Sequence, residues 1–371
     1  MKYGFFIFVS LFTFALSFYA ALRGWQSLQQ QPLWRNIYLG LSVVGYVALM
    51  ANFSVAHKLS PVFGQLVSGI GMSYFLFIVY MVMAFLLIDV VRISNSFLHF
   101  APIGMQSFRL WAFVATTALV VMAMLYGSYR FHTPVLVELN IESAKPKHGK
   151  VLNVIAVSDL HLGVQINKSK LQQYVAAINQ QKPDLILIAG DITDNSIRPL
   201  IEQNMSEELS QLKATYGVFA VNGNHEFYSE HPNATQELLE KSGITVLRDS
   251  AVLVDNSLYI VGRDDRTNAQ RKDLASLTAL LDANKTMILL DHQPYALDEA
   301  MKNNIDLQIS GHTHNGQFFP INFIVNRIYE LAHGYLQKGN THYYVSSGLG
   351  IWGPLYRIGT QSEIVKINFK I

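Results

Sequence analysis

Four long apolar runs fill the first part of the chain, and shorter alternating runs fill the rest. The long runs lie at Gly4–Leu22, Ile37–Ala56, Phe63–Val91 and Leu110–Tyr129. A helix needs roughly 20 apolar residues to cross a hydrocarbon core about 30 Å thick. Because lipid offers no hydrogen-bond partners to irregular backbone, each run is predicted to be a transmembrane helix. We therefore expect a transmembrane region of four helices over residues 1–130.

Beyond residue 150 the pattern changes to short β-rich runs that alternate with amphipathic stretches. The runs VLNVIAVS, DLILIAG, YGVFAVN, TMILLD and DLQIS each end in polar or glycine residues and predict buried strands. Helical periodicity appears at Ser169–Gln180, Pro199–Leu212, Ala234–Lys241 and Asn268–Leu281. This alternation is typical of an α/β domain, which we place at residues 151–371, with residues 131–150 as a linker.

The composition indicates contact with lipid, argues against nucleic-acid binding and excludes metal sites built on cysteine. Hydrophobic residues make up 50% of the chain and charged residues 15%, which is too apolar for an ordinary soluble enzyme. The net charge of +2 and the lack of a basic block argue against nucleic-acid binding, and no obligate protein partner is indicated. Because the chain has no cysteine, any transition-metal site must use imidazole, carboxylate and amide oxygen.

Charged residues near the apolar runs predict the orientation. The only carboxylate before Glu138 is Asp89, and Arg92 follows one helical turn later, so an ion pair explains it without transport. The first and third loops hold Arg23, Arg35, Arg92 and Arg109, whereas the other side has Lys2, Lys58 and Arg130. The positive-inside rule then predicts a multi-pass protein of the cell membrane with an extracytoplasmic C-terminal domain. A cleaved signal peptide is the alternative for the first run.

Each of the five predicted strands is followed by side chains that can bind metals. In chain order these are Asp159 and His161, Asp191, Asn224 and His225, His292, and His312 and His314. Buried strands of such a domain point their carboxyl ends at one rim, so we expect these side chains to converge. Imidazole and carboxylate suit Mn, Fe and Zn, and a carboxylate can bridge two ions about 3.5 to 4 Å apart.

The spacing within two of these motifs predicts their local geometry. In an extended segment, residues two apart project the same way, so Asp159 and His161 are predicted to form one pincer. The same spacing in GHTH predicts a second pincer from His312 and His314. Glycine next to three of the motifs would let the backbone approach the site closely.

Taken in order, these motifs resemble those of the calcineurin-like metallophosphoesterase superfamily. They are Asp-x-His, Gly-Asp-x-x-Asp, Gly-Asn-His-Glu, a lone His and Gly-His-Thr-His. The tail SSGLGIWGPLYRIGTQSEI and the HNGQ after Gly-His-Thr are similar to the membrane-anchored bacterial branch. The resemblance covers Val151–Ile371 and implies an α/β/β/α sandwich, but it does not extend to the four helices.

Residue by residue, the resemblance implies a site for two divalent cations, which would be Mn, Fe, Zn or a similar metal. The first ion would be held by Asp159, His161 and His314, and the second by Asn224, His292 and His312. Asp191 would bridge both ions. His225 would face the leaving-group oxygen as the catalytic residue and would not bind metal. Glu226 departs from the Asp that many relatives carry, which leaves its role open.

The implied activity is that of a membrane-tethered phosphoesterase. A metal-bridging hydroxide would attack phosphorus in line, and His225 would protonate or steady the departing alkoxide. The substrate would be a phosphate mono- or diester, and the tether favours a lipid-linked one over a soluble one. The alternative is a non-catalytic membrane sensor or scaffold whose phosphoesterase-like domain binds metal or nucleotide. Degenerate domains usually lose a ligand, and none is missing from these motifs.

Residues outside the ligand set carry weaker hypotheses. Asp194 is expected to orient a neighbour and not to bind metal. Asp264 and Asp265 are expected to serve in a turn. Arg357 is the candidate for a substrate phosphate contact, since a guanidinium matches phosphate in a bidentate way, and a plain surface arginine is its alternative. Four aromatic residues are candidates for an apolar mouth or an anchor at the bilayer surface, namely Phe227, Tyr228, Trp352 and Tyr356.

Overall fold

The computed structural model describes residues 2–99, 105–145, 149–228 and 232–371. Residues 100–104 of the expected transmembrane region and 146–148 of the expected linker therefore lie outside the described residues. The chain divides into two compact units. The first comprises the chain up to Ser128 with Gly353–Leu355, and the second comprises Tyr129–Trp352 with Tyr356–Ile371.

Four long helices dominate the first unit and confirm the four apolar runs. They are α1 (Lys2–Ser27), α2 (Pro32–Ser54), α3 (Pro61–Leu98) and α4 (Met105–His132). All four are long and apolar enough to cross a membrane. Large apolar side chains such as Leu41, Leu87 and Trp111 are exposed on their outer surfaces, as expected for helices that face lipid.

Two six-stranded mixed sheets form the second unit. Their strands are β1 (Val135–Glu142), β2 (Val151–Val157), β3 (Leu185–Ala189), β4 (Val218–Val221), β5 (Ile244–Val246), β6 (Ser250–Val254), β7 (Leu258–Gly262), β8 (Thr286–Leu290), β9 (Leu307–Ser310), β10 (Gly334–Lys338), β11 (Thr341–Val345) and β12 (Glu363–Lys370). The first sheet has the order β1-β12-β2-β3-β4-β5, and the second has the order β10-β11-β9-β8-β7-β6.

The two sheets share one buried core, and helices cover their other faces. These helices are α5 (Lys168–Gln180), α6 (Arg198–Glu202), α7 (Met205–Leu209), α8 (Pro232–Lys241), α9 (Leu274–Thr278) and α10 (Asp298–Lys302). A further helix, α11 (Ile321–Ile328), follows the loop after β9 and leaves most of its apolar side chains exposed. The core between the sheets joins side chains such as Leu187 of β3 and Ile288 of β8. A second cluster packs Leu289 of β8 against Leu277 of α9. These layers are the α/β/β/α sandwich that the resemblance implied.

The five predicted strands are all present, as β2, β3, β4, β8 and β9. Two predicted helices are shorter than expected. Pro199–Leu212 contains α6 and α7, because Asn204 between them adopts left-handed backbone with φ of 50°. Asn268–Leu281 is helical only in α9, where the side chain of Asp273 accepts a hydrogen bond from the N–H of Ser276 and caps the first turn.

The linker expected at residues 131–150 is corrected by the structure, because this segment contains β1. This strand pairs in parallel with β12, from Val135 opposite Glu363 to Glu142 opposite Lys370. Every second residue in the later part of β1 packs against the core, and the residues between them are polar. This alternation with a period of two is typical of a half-buried strand. The α/β unit therefore begins well before Val151.

One buried carboxylate ties the chain after β1 to the second sheet. Asp306 is 3% exposed and accepts hydrogen bonds from Oγ of Ser143 (2.6 Å) and the N–H of Met287 (2.8 Å), and it pairs with Lys145 (2.9 Å). We expect Asp306→Ala to lower the free energy of unfolding of this unit by roughly 3 kcal/mol, because the N–H of Met287 would lose its buried acceptor and Lys145 would lose its counterion. Hydrogen exchange of the β8 and β9 amides measures the loss.

Asp298 provides the matched control, because its pair with Lys338 lies on the surface. An exposed pair is screened by water and adds little to stability, so Asp298→Ala should leave the exchange rates unchanged. Equal protection in Asp306→Ala and wild type would show that the buried pair does not stabilise the unit.

Candidate metal centre

The predicted ligands lie together at the carboxyl ends of the strands. Asp159 and His161 follow β2, Asp191 follows β3, Asn224 and His225 follow β4, His292 follows β8, and His312 and His314 follow β9. β2, β3 and β4 are parallel neighbours in the first sheet, and β8 and β9 are parallel neighbours in the second. Both sheets therefore contribute their carboxyl ends to one site.

The loops that carry the ligands contain left-handed backbone. Positive φ angles occur at Asp159 (53°), His161 (45°), Asp191 (51°), His312 (71°) and His314 (49°). Each such residue costs about 1–2 kcal/mol, so the surrounding structure must stabilise these loops. Asp159 and His161 converge on one ligand group as the first pincer predicted, although their backbone is not extended. The second pincer is wrong. His312 and His314 turn to different groups of ligands.

The first group consists of Asp159, His161 and His314. Nε2 of His161 lies 3.2 Å from Nε2 of His314, which in turn lies 3.6 Å from Oδ1 of Asp159. The Asp159 carboxylate is held in place by the hydroxyl of Ser158 at 2.5 Å and by the N–H of His312 at 3.0 Å. Two imidazole nitrogens and a carboxylate this close together can share one cation.

The second group consists of Asp191, His292 and His312, with Asn224 beside it. Nε2 of His292 lies 3.2 Å from Oδ2 of Asp191 and 3.3 Å from Oδ1 of Asn224. Nδ1 of His312 lies 2.8 Å from the same Asn224 oxygen. Oδ2 of Asp191 is also 3.7 Å from Nε2 of His161. One carboxylate oxygen therefore faces both groups.

Burial sets the protonation of these imidazoles. It lowers the pKa of His161 to about 3 and that of His312 to about 4, and it holds the pKa of His314 well below its usual range. Neutral imidazole is the form that binds metals. Burial also lowers the pKa of His292, but the charge of Asp191 outweighs it, and the pKa of His292 is raised well above its usual range. A bound cation would replace that proton.

Several details fit this site to divalent cations. His292 donates Nδ1–H to the carbonyl of Ala189 at 2.7 Å, which leaves the lone pair of Nε2 directed toward Asp191. Nδ1 of His161 and Nδ1 of His314 are buried, and neither has a hydrogen-bond partner among the described residues. The donors are imidazole nitrogens and carboxylate and amide oxygens, a set that suits Mn, Fe or Zn.

Two glycines allow the strand ends to approach the ligands. Gly190 has φ of 87°, and a Cβ there would lie 2.6 Å from Nδ1 of His292. A Cβ at Gly311 would strike the carboxylate of Asp159. A larger residue at either position would therefore displace a ligand.

His225 lies beside the first group, with its ring centroid 4.6 Å from that of His161. It donates Nδ1–H to the carbonyl of Asp194 at 2.8 Å, and the Asp194 carboxylate lies 3.4 Å from the same nitrogen. Burial lowers the pKa of His225, but Asp194 and the charge of Asp191 outweigh it and raise the pKa to about 9. Asp194 therefore orients His225, and Nε2 remains available to face a substrate.

Glu226, whose role the sequence left open, braces the loop that carries Asp191. It is 1% exposed and accepts hydrogen bonds from the N–H groups of Asp191 (3.1 Å), Ile192 (2.9 Å), Thr193 (2.9 Å) and Gly223 (2.7 Å). Burial and the charge of Asp191 raise its pKa to about 7. One side chain thus fixes the backbone after β3 relative to the backbone after β4.

Arg357 is not available for the substrate contact predicted for it. Its side chain is fully buried and donates to the carbonyls of His314 (3.2 Å), Gly348 (3.0 Å) and Gly350 (2.7 Å). Burial lowers its pKa to about 10. Nη1 and Nη2 of Arg357 thus brace the His314 loop from the interior, and its Nε is buried without a hydrogen-bond partner among the described residues. Sequence shows the residue type but not its burial.

The acidic pair after β7 does more than form a turn. Asp264 and Asp265 are both buried, and Asp264 pairs with Arg248 at 2.9 Å. Asp265 accepts hydrogen bonds from Thr267 and from Gln293, the residue that follows His292 in the chain. Sequence reasoning missed this network, which holds the loop after β8 in place.

Two of the four candidate aromatic residues flank His225. The ring of Tyr228 lies 5.2 Å from that of His225, and the ring of Trp352 lies 6.2 Å away. Both side chains are exposed, so they form a partly apolar rim. Phe227 instead lies under the guanidinium of Arg248.

Comparisons with known proteins identify the family. A sequence model described as Calcineurin-like phosphoesterase matches residues 152–316. An uncharacterized metallophosphoesterase of Aquifex aeolicus is 31% identical over a segment that covers 67% of this chain and 98% of that protein. The chain belongs to the calcineurin-like phosphoesterase family. Members of this family use a dinuclear metal centre, in agreement with the two ligand groups.

Two further relatives are longer than the matched segment. An uncharacterized metallophosphoesterase of Campylobacter jejuni is 35% identical over 64% of this chain and 64% of that protein. A transmembrane protein with metallophosphoesterase domain of Danio rerio is 32% identical over 68% of this chain and 62% of that protein. This calcineurin-like phosphoesterase therefore matches a little less than two thirds of the length of these relatives. Its four apolar helices indicate a membrane protein.

The bracing role of Glu226 predicts a specific loss of metal affinity. In Glu226→Gln an amide NH₂ replaces one acceptor and would face backbone N–H groups, so the Asp191 loop should shift. We expect Mn²⁺ affinity to fall about 10- to 100-fold, the usual result of removing a residue that orients a ligand. Calorimetric titration of the metal-stripped protein measures this affinity.

Glu208 provides a matched control, because it is a buried glutamate of α7 that contacts Gln172 and Gln211. Glu208→Gln should bind Mn²⁺ as wild type does. Wild-type affinity in Glu226→Gln would contradict the bracing role.

Proposed function

We propose that this protein is a metal-dependent phosphoesterase anchored in the membrane as a multi-pass protein by its four apolar helices. It hydrolyses a phosphate mono- or diester. The observation that carries this proposal is the complete pair of ligand groups joined by the buried carboxylate of Asp191, with His225 beside them. A sensor or scaffold would not need every one of these ligands. Family membership supports the same conclusion.

The ligands divide between two cations. Asp159, His161 and His314 would hold the first, and Asn224, His292 and His312 would hold the second. Asp191 would serve both, because one of its oxygens faces both groups. We assign His225 to the substrate side, although His161, Asp191 and His225 also lie close enough to share an ion. The hydrogen bond from Nδ1 to Asp194 and the raised pKa favour protonation of His225 over metal binding.

The chain's own residues can then support hydrolysis by in-line attack, in which the attacking oxygen lies opposite the leaving group. Two divalent cations in the site would lower the pKa of water and offset the charge of the phosphoryl oxygens. His225, held by Asp194, carries its proton at Nε2 toward the departing oxygen. Such a positioned acid contributes about 100- to 10,000-fold. The proton leaves with the alcohol.

A lipid-linked phosphoester is the substrate class that the arrangement favours. Four apolar helices keep the protein in the membrane, where a lipid-linked ester is concentrated. Tyr228 and Trp352, which are exposed beside His225, offer apolar surface to such a substrate. A soluble phosphoester is the alternative substrate.

Metal dependence and one histidine test the catalytic assignment. We expect the purified full-length protein to hydrolyse a chromogenic phosphodiester with added Mn²⁺ and to lose activity on chelation. Asp191→Ala should abolish both metal binding and activity. His225→Gln should lower kcat about 100- to 10,000-fold with metal content unchanged, because it removes only the proton donor.

His333→Gln serves as the control for the histidine change. His333 lies outside the ligand groups and contacts Glu363, which keeps its bonds from Tyr344 and Ser347. Its activity should equal that of wild type. Absence of hydrolysis in the wild-type protein with Mn²⁺ would favour the scaffold. Activity that is indifferent to chelator would reject the metal-dependent mechanism, and activity unchanged in His225→Gln would reject the role of His225.

We further propose that the α/β unit lies outside the cytoplasm. The chain enters the α/β unit from one side of the proposed membrane span. The helix ends on the opposite side carry four arginines, namely Arg23, Arg35, Arg92 and Arg109, which the positive-inside rule places in the cytoplasm. Protease added to sealed spheroplasts should therefore cleave the α/β unit. Full protection that disappears only on lysis would place the unit in the cytoplasm.

A further inference from the structure

A basic cleft lies within the first unit, among α1, α3 and α4, and we call it the arginine cleft. Its polar side is formed by Arg23 of α1, Asp89 and Arg92 of α3, and Arg109 of α4. Its apolar side includes Phe85, Ile88 and Phe113. The space between these side chains is shallow and opens outward. The cleft is separate from the metal centre and has no role in the chemistry proposed above.

The arginine cleft has more positive charge than the helices can neutralise. Asp89 pairs with Arg23, and its other oxygen lies 2.7 Å from Nη1 of Arg92. The hydroxyl of Tyr19 also donates to Asp89 at 2.7 Å. Arg109 forms no ion pair among the residues that the structure describes. Since the sequence has no other carboxylate before Glu138, two positive charges remain in excess.

These guanidiniums are also poorly hydrated. The side chains of Arg23 and Arg92 are only 24% and 22% exposed. Nε of Arg23, Arg92 and Arg109 is buried in each case, with no hydrogen-bond partner within the described part of the chain. Buried donors and unpaired charge are costly next to lipid. An anion with several oxygens would offset the unpaired charge, and phosphate matches the guanidinium fork.

The cleft lies where phospholipid headgroups would be. Arg23 is close to the end of α1 at Ser27, and Arg109 is close to the start of α4 at Met105. Three helix ends thus meet on one side of the proposed membrane span. Phe85 and Ile88 precede Asp89 in α3 and continue the cleft toward the apolar middle of the helices.

We propose that the arginine cleft binds the headgroup phosphate of an anionic phospholipid, with an acyl chain along Phe85 and Ile88. Basic pockets between membrane helices recognise acidic headgroups in this way. The apolar wall favours a lipid over free phosphate, because a free anion would leave that wall uncovered. The excess charge favours a headgroup with net negative charge over a zwitterionic one. This inference depends on the membrane placement proposed above and not on the catalytic role.

Titration of the detergent-solubilised full-length protein with phosphatidylglycerol tests the proposal, with native mass spectrometry as the readout. We expect one molecule to bind in preference to phosphatidylcholine. Arg109→Gln should weaken phosphatidylglycerol binding about fivefold, the contribution of one basic residue near an acidic lipid. Arg109 has no internal ion pair to break, so this variant should fold. Arg109→Lys, which keeps the charge, should retain most of the affinity.

Lys58→Gln is the matched control, because Lys58 lies between α2 and α3 at the other end of the helices. It should bind phosphatidylglycerol as wild type does. Equal affinity for both phospholipids, or equal binding by Arg109→Gln and wild type, would overturn the proposal. Inorganic phosphate that displaces phosphatidylglycerol at equal concentration would show a free-anion site and reject the lipid. Lipid binding is measured here without hydrolysis. A protein that lacks phosphoesterase activity could therefore still bind phosphatidylglycerol, and the two proposals can fail separately.

Discussion

Asp191 places a carboxylate that is 2% exposed between two groups of imidazoles, 3.7 Å from His161 and 3.2 Å from His292. A charge buried this deeply is tolerated only with partners of opposite charge, and divalent cations held by the two groups would supply them. The loops around Asp191 bring the imidazoles close to it. To do so they adopt left-handed backbone, which is unfavourable, at Asp191 and at several other ligands. Glu226 and Arg357 then hold these loops through backbone N–H and carbonyl groups.

The sequence predicted the structure correctly where metal-binding residue types directly follow a readable strand or helix pattern. Each ligand follows a strand whose apolar run is readable, and the shared direction of parallel strands predicts that their ends converge. The four apolar helices are readable for the same reason, because lipid imposes length and composition together. β1 was missed because its residues are only half-buried and it lies between an apolar run and a charged segment, so only its pairing with β12 reveals it.

Burial explains the predictions that failed. A guanidinium suits a phosphate by chemistry, but the Arg357 side chain is enclosed, and its Nη groups donate to three carbonyls. The pincer of His312 and His314 failed because a spacing of two residues predicts a shared direction only in extended backbone, whereas both residues have positive φ. The turn predicted for Asp264 and Asp265 is present, since Asp265 accepts from the N–H of Thr267, but the sequence did not show the long-range contacts with Arg248 and Gln293. Such contacts depend on tertiary structure, which spacing along the chain does not encode.

The most direct test of a two-cation site is the anomalous scattering of crystals of the full-length protein grown with Mn²⁺. The account predicts two peaks about 3.5 to 4 Å apart, one on each side of Asp191. One ion should lie among Asp159, His161 and His314, and the other among Asn224, His292 and His312. A single peak, or peaks that are not in contact with Asp191, would contradict it.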